Sequence, residues 1–230
     1  MSKPIALILG SGPRVGAAVA ATFASKGYQV AVASRKGTGE KTSEAYLSVS
    51  VDLAKPESVP GVFESVKASL GAAPAVVVYN AASLTPPPQQ DSILSIPADR
   101  FTNDLNINTV SPYVAAQTAV EAWGSLPGDV KKSFIYTGNI LNVKILPVPL
   151  FLNLGVGKSA SAYWLGVADQ SYTARDYRFF YADERKADGN LVGNDLNGPA
   201  HAEFFAQLAS HEGNIPWFAT FVAGKGYVKF

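Results

Sequence analysis

The 230-residue chain contains no cysteine, and this one absence removes disulfides, thiolate metal sites and thiol nucleophiles together. Histidine is almost as scarce. His201 and His211 are the only two, and no second histidine or carboxylate recurs near either at ligand spacing, so no metal site is expected. Charge is sparse as well: 16% of residues are charged and the net charge is +1. Lysine and arginine form no stripe, which argues against nucleic acid and against an anionic membrane surface. The expected partners are small molecules and further copies of the chain. A clean bilayer-length apolar run is missing too, because the most apolar long window, Ile140 to Val156, is broken by Asn142, Lys144, Pro147, Pro149 and Asn153. The chain enters a strand within four residues, leaving no space for the ordered regions of a secretory signal, and the cytoplasm is the expected compartment.

What is present is a 47% hydrophobic chain of a length that suits one α/β domain over residues 1–230. Its organising stretch is Ile5 to Ala20. An apolar run too short for a helix meets Gly10, Gly12 and Gly16, after which the pattern turns helical through Val15, Val19, Ala20 and Phe23. This reads as strand, phosphate loop and helix. Gly10 can turn off the strand with positive φ, Gly12 bares the backbone and Gly16 permits close helix packing. Free amides at such a helix start attract a pyrophosphate, held by Gly10, Ser11, Gly12, Arg14, Val15 and Gly16.

Strand and helix then alternate. Strands are expected at 28–33, 46–51, 75–79, 132–136, 178–181 and 217–222, and helices at 56–70, 99–123, 151–173 and 200–210, with a loop or lid from Asp183 to Gly198. The class is α/β, a Rossmann-like doubly wound parallel sheet of about seven strands with helices on both faces. No carboxylate stands at the end of the second strand, where one would favour a free ribose 2′-hydroxyl. Ser34 and Arg35 stand there instead, with Arg14 expected on the same side, and two cations favour NADP(H) over NAD. The long connection from Ser83 to Ser95 carries Pro86, Pro87 and Pro88 at the carboxyl ends of the strands and reads as a pocket wall.

Together these residues resemble the short-chain dehydrogenase/reductase family over nearly the whole chain. Leu9 to Gly16 resembles the family's glycine loop, with Arg14 at the middle glycine. Asp52 and Leu53 resemble the pair that contacts adenine, Asn80, Ala81 and Ala82 resemble the run beside the cofactor, and Asn108 matches the active-site helix asparagine. Lys158 falls where the family's lysine holds the nicotinamide ribose. The resemblance also marks two departures, since Leu154 stands at the position of the family's tyrosine acid and Gly138 at that of its serine. Candidate replacements for the proton donor are Thr137, Asn139 and Tyr181, or an ordered water. Tyr163, five residues past Lys158, points elsewhere on the helix and is expected in the core; His201 is expected to be a surface or cap residue.

Three functions fit these features: an NADP(H)-dependent oxidoreductase on a small carbonyl or alcohol with a rearranged donor, a non-redox cyclase, isomerase or lyase, and a catalytically silent nucleotide-binding protein. Self-association into a homodimer or homotetramer is expected from surplus apolar residues on the helix that carries Lys158: Ala160, Ala162, Leu165, Val167 and Ala168. Leu154→Tyr with Gly138→Ser is expected to raise carbonyl reduction if the pocket tolerates the bulk.

Overall fold

The computed structural model describes residues 3–89 and 91–230. One sheet runs in the order β3-β2-β1-β4-β5-β6-β7-β8, built from β1 (Ile5–Leu9), β2 (Gln29–Ser34), β3 (Leu47–Ser50), β4 (Val76–Tyr79), β5 (Lys132–Thr137), β6 (Tyr177–Arg185), β7 (Phe218–Val222) and β8 (Gly226–Tyr227). All neighbours pair in parallel except β8, which returns antiparallel along β7. The doubly wound sheet therefore has one strand more than the alternation predicts. β8 is two residues long and leaves no apolar alternation for a sequence to show.

Helices α1 (Val15–Ser25) and α6 (Gly198–Ser210) cover one face of the sheet, while α2 (Val59–Leu70), α4 (Ser111–Trp123) and α5 (Leu152–Tyr172) cover the other. Ile5, Leu7 and Leu9 of β1 point into the α2/α4/α5 core, and Ala6 and Ile8 into the α1/α6 core. Burial on both faces explains why β1 reads as an unbroken apolar run. Within the larger core, Trp123 is fully enclosed against Tyr177 and Phe179, and its indole N–H donates to the Pro74 carbonyl at 2.9 Å.

The expected helix over 99–123 is two α-helical segments, α3 (Ala98–Leu105) and α4, joined by a π turn over Asn106–Val110. No proline or glycine marks this turn, so periodicity alone reads straight through it. Its carbonyls find partners from the sheet and from α5: Tyr79 Oη donates to the Ile107 carbonyl at 2.6 Å, and Tyr136 Oη and Ser161 Oγ both donate to that of Asn108 at 2.8 Å. Such turns occur preferentially at functional sites.

Three further expectations are corrected. β6 continues to Arg185, so Asp183 lies inside a strand instead of opening a loop. Tyr163 is 78% exposed rather than in the core. His201 is fully enclosed, edge-on to Phe205 and Phe221, with Nδ1 2.9 Å from the Asn197 carbonyl and 3.3 Å from Glu184 Oε2. Its position at the start of α6 suggests a cap, but the Asn197 side chain takes that role, accepting from the Ala200 N–H at 2.9 Å. Among the described residues, no helix is long and apolar enough to cross a membrane, and no group of three His, Asp or Glu side chains could hold a metal ion.

Candidate active site

The strand order reverses between β1 and β4, and a cleft of about 480 Å³ opens at the carboxyl ends of the strands there, the usual ligand position in such a sheet. One side is the glycine loop. Gly10 has φ +91°, and a Cβ on it would lie 2.6 Å from the Ala81 nitrogen, so the loop leaves β1 along a path closed to other residues. Nothing stands within 4 Å of a Cβ built on Gly12, which lines the cleft. Gly16 packs closely on the loop itself, its Cβ position being 2.7 Å from the Ser11 Cα. No side chain caps α1; the Ala17 N–H donates to the Gly12 carbonyl at 3.0 Å, which leaves the amides of Val15 and Gly16 to an anion.

Asn80 ties this loop to the far wall. Its Nδ2 donates to the Gly10 carbonyl at 2.9 Å, and its Oδ1 accepts from Thr137 Oγ1 at 3.0 Å. Arg14 also lines the cleft but reaches the opposite rim, where Nη1 donates to the Asn194 carbonyl at 3.3 Å. Arg35 is exposed past the end of β2 and lies outside the cleft lining, whereas Arg14 is part of it. Ser34, Asp52 and Leu53 sit on the same strand ends, outside that lining. Ser34 Oγ accepts from the Lys36 N–H, Asp52 Oδ1 from the Ala54 N–H, and the Leu53 carbonyl from Ser111 Oγ.

The far wall consists of Thr137, Gly138, Asn139, Leu154 and Lys158. Leu154 precedes Lys158 by one turn of α5, so the two share a face toward the cleft. Lys158 is almost fully buried. Its Nζ donates to the Thr137 carbonyl at 2.7 Å and lies 4.3 Å from the ring centre of Tyr136. Burial draws its pKa down to about 7, and the nearby Asp183 carboxylate opposes that fall. Asp183 is enclosed as well; burial raises its pKa to about 6 against the pull of Arg185, whose Nε donates to Oδ2 at 2.6 Å.

Beneath this wall, four aromatic residues pair in register across the sheet, Tyr79 to Tyr136 to Tyr181 to Phe218. Successive ring centres lie 5.8, 5.7 and 5.9 Å apart. The row was legible strand by strand as buried residues, but its register is a tertiary fact. It also decides the role of Tyr181. That hydroxyl donates to the Asn139 carbonyl at 2.8 Å and accepts from the Asn139 N–H at 3.1 Å, and burial pushes its pKa well above 10. A Cβ on Gly138 would lie 2.2 Å from Cε1 of the same ring. Tyr181 thus fills the space a side chain at 138 would need, and the pocket does not tolerate Gly138→Ser without moving it.

Asn108 is fully enclosed in the π turn. Its side chain forms a closed pair with Ser83, donating to the Ser83 carbonyl at 2.7 Å and accepting from the Ser83 N–H at 2.9 Å. It fixes the chain after Ala82, which does line the cleft, and does not reach into the cleft itself. Asp104 adds to the same brace, accepting from Ser83 Oγ at 2.6 Å and from Asn153 Nδ2 at 2.9 Å. Asp104 and Tyr136 carry no mark in the sequence that singles them out.

Two other concavities are of similar size, a groove of about 540 Å³ between α4 and α5 and an apolar hollow of about 630 Å³ along residues 141–159. Neither contains the glycine loop or Lys158.

Comparison with known proteins agrees with this geometry. The family model described as enoyl-(acyl carrier protein) reductase matches residues 13–142, more than half of the chain. A short chain dehydrogenase/reductase of Cryptosporiopsis sp. (strain 8999) is 39% identical over 242 residues, covering 100% of this chain and 96% of the relative. Solved structures share the fold at lower identity. An oxidoreductase of the short-chain family from Brucella ovis, in complex with a partially ordered NAD, aligns with TM-score 0.73 at 16% identity over 97% of this chain and 100% of its own. A blue fluorescent protein from a metagenomic library, in complex with NADPH, aligns with TM-score 0.73 at 19% identity over 99% of each chain. By its sequence match over more than half its length, and by a near full-length relative, this chain belongs to the short-chain dehydrogenase/reductase family of oxidoreductases.

Proposed function

We propose that the chain is a single-domain, cytoplasmic, NADP(H)-dependent oxidoreductase that interconverts a small carbonyl compound and its alcohol without the tyrosine acid usual in its family. The observation that carries this reading is one cleft holding both the uncapped start of α1 with Gly12 and the buried Lys158. The residues fit a dinucleotide. Gly10, Ser11, Gly12, Arg14, Val15 and Gly16 would hold the pyrophosphate, Ser34 and Arg35 the 2′-phosphate, Asp52 and Leu53 the adenine, and Asn80, Ala81, Ala82 and Lys158 the nicotinamide half. When bound, the cofactor supplies or accepts a hydride. NADP(H) is favoured because no carboxylate follows β2, while Arg35 is free to pair with a phosphate. The NADPH and NAD of the two structural neighbours fit the same reading without choosing between them.

Titration calorimetry tests it. NADPH should bind more tightly than NADH, and Arg35→Glu should weaken NADPH by about 10- to 100-fold, the loss of one charge-assisted contact, while leaving NADH unchanged. Equal affinities for the two cofactors refute the preference; no binding of either refutes the function.

The partner surface is the α4/α5 face. Tyr113, Tyr163 and Val167 are half-exposed or more along the groove there. Of the residues expected to form the surplus, Ala162 and Leu165 turn inward to the chain's own core, so Tyr113, Tyr163 and Val167 carry the outward apolar area. Sedimentation at micromolar concentration should show a dimer or tetramer, and a monomer would exclude it.

A further inference from the structure

We propose that Lys158 is itself the proton donor of the reaction, giving a proton from Nζ to the carbonyl oxygen of the substrate. This rests on the oxidoreductase reading above and names the group that reading leaves open.

The geometry reaches Lys158 by what surrounds it. The cleft places three hydroxyl-bearing residues near its wall or floor, and each proton is already committed: Thr137 Oγ1 donates to Asn80, Tyr181 to the Asn139 carbonyl and Tyr136 to the Asn108 carbonyl. Asn80, Asn139 and Asn194 are amides and do not ionise. Arg14 reaches the opposite rim, where Nη1 donates to the Asn194 carbonyl at 3.3 Å. Glu184 lines the cleft, but it belongs to the opposite face of the sheet, where its Oε2 accepts from the Asn197 N–H at 2.9 Å and faces His201. Lys158 differs from all of these. An ammonium has three hydrogens, and Nζ spends one on the Thr137 carbonyl. Among the described residues the others have no acceptor, and the neighbouring turn of α5 presents Leu154, which cannot compete for them.

The charged and titratable groups around Nζ come from two strands and one rim. β5 contributes the Tyr136 face, β6 contributes Asp183 with its partner Arg185, and Glu184 beyond them, and Arg14 stands across the cleft. Asp104 faces the outer side of the wall but is consumed by Ser83 and Asn153. The sum favours an easily released proton, because burial disfavours the ammonium and Asp183 opposes this only in part. An acid titrating near the working pH is the efficient kind.

The step balances as follows. The carbonyl carbon takes a hydride, with its two electrons, from a reduced nicotinamide dinucleotide that leaves oxidised. The C=O π pair becomes an alkoxide lone pair, which takes H⁺ from Nζ. The product is the alcohol and a neutral amine, and water restores the ammonium. Reduction therefore needs protonated Lys158, is full at low pH and falls as pH rises through about 7; alcohol oxidation shows the reverse sign.

The test uses the full chain with NADPH. The 13Cε signal of Lys158, observed in [13C]lysine-labelled protein and assigned by its loss in Lys158→Arg, reports the titration directly. It should move with a midpoint near 7, apart from the surface lysines, and Asp183→Asn should lower that midpoint because the carboxylate is what holds it up. Single-turnover NADPH oxidation is then followed against a panel of aliphatic and aromatic ketones and quinones. Lys158→Arg keeps the cation; with NADPH affinity measured alongside and NADPH held saturating, it should slow reduction by about 10²–10⁴-fold and erase the decline near pH 7, since a guanidinium does not release its proton. Titration of Lys158 together with the surface lysines overturns the donor role. So does an unchanged rate and profile in Lys158→Arg, or a decline that survives there and vanishes in Glu184→Gln. If the parent protein binds NADPH and turns over no carbonyl in the panel, the oxidoreductase reading fails and the donor role falls with it.

Discussion

On its β1 side the cleft is lined by Gly12, Pro13, Val15 and Ala82, backbone and small groups with Arg14 the one charge among them; on its β5–β6 side it is lined by Thr137, Asn139, Lys158 and Glu184. The two sides are held by different means. The first is shaped by places where no Cβ fits, at Gly10 against Ala81 and at Gly198, whose Cβ position is 2.7 Å from the Arg14 carbonyl. The second is shaped by hydrogen bonds already made, through Asn80, Thr137, Tyr181 and Asn139. A substitution on the first side should therefore act through strain and register mainly as lost stability. On the second it should act through chemistry, except at Gly138, which obeys the rule of the other side.

The largest effect expected of that contrast is at Gly10. Gly10→Ala combines a left-handed residue, about 1–2 kcal/mol, with overpacking against the Ala81 backbone, about 1–3 kcal/mol. Urea unfolding should show a loss of about 3 kcal/mol, and NADPH binding should weaken with it. An unchanged midpoint would break the comparison.

Gly138→Ser comes next, at about 2 kcal/mol, because the added Cβ drives into the Tyr181 ring. Here the strain has a removable partner, unlike the backbone that opposes Gly10. Gly138→Ser with Tyr181→Val should recover part of the loss, a coupling that additive behaviour of the two single variants would exclude.

The smallest effect is that of Tyr181→Phe, about 1 kcal/mol for the two contacts with Asn139. It sharpens the chemical half of the comparison, because the ring stays and only the hydroxyl goes. The pH profile of carbonyl reduction should keep its midpoint; loss of that midpoint would return Tyr181 to the candidates for acid.

The sheet, the glycine loop and Lys158 were legible because each rests on local pattern: a continuous apolar strand, glycines at fixed offsets, a lysine on a helix of known phase. Asn80 stands out in the sequence as a candidate, but its bridging role does not, since its two partners lie 70 and 57 residues away. The contacts of Tyr181 were not legible for a similar reason. Nothing near it in sequence shows that Asn139 takes both sides of its hydroxyl. His201 was misread because the start of a helix is usually wet, whereas here Glu184, Phe205 and Phe221 close over it.

The π turn at Asn106–Val110 has a last consequence, for how this chain can change its length. One residue more than α-helical winding separates α3 from α4, so everything before Ile107 is turned by about 100° relative to a continuous helix. That phase points Asp104 at Ser83 and Asn153, and it leaves the Ile107 and Asn108 carbonyls open to the sheet tyrosines. Deleting a single residue here would shorten the helix by about 1.5 Å, a trivial change in reach. It would also rotate the brace out of contact. At this point the chain measures its sequence as an angle, and a deletion that any exposed loop would absorb becomes a change of direction for the whole wall behind the cleft.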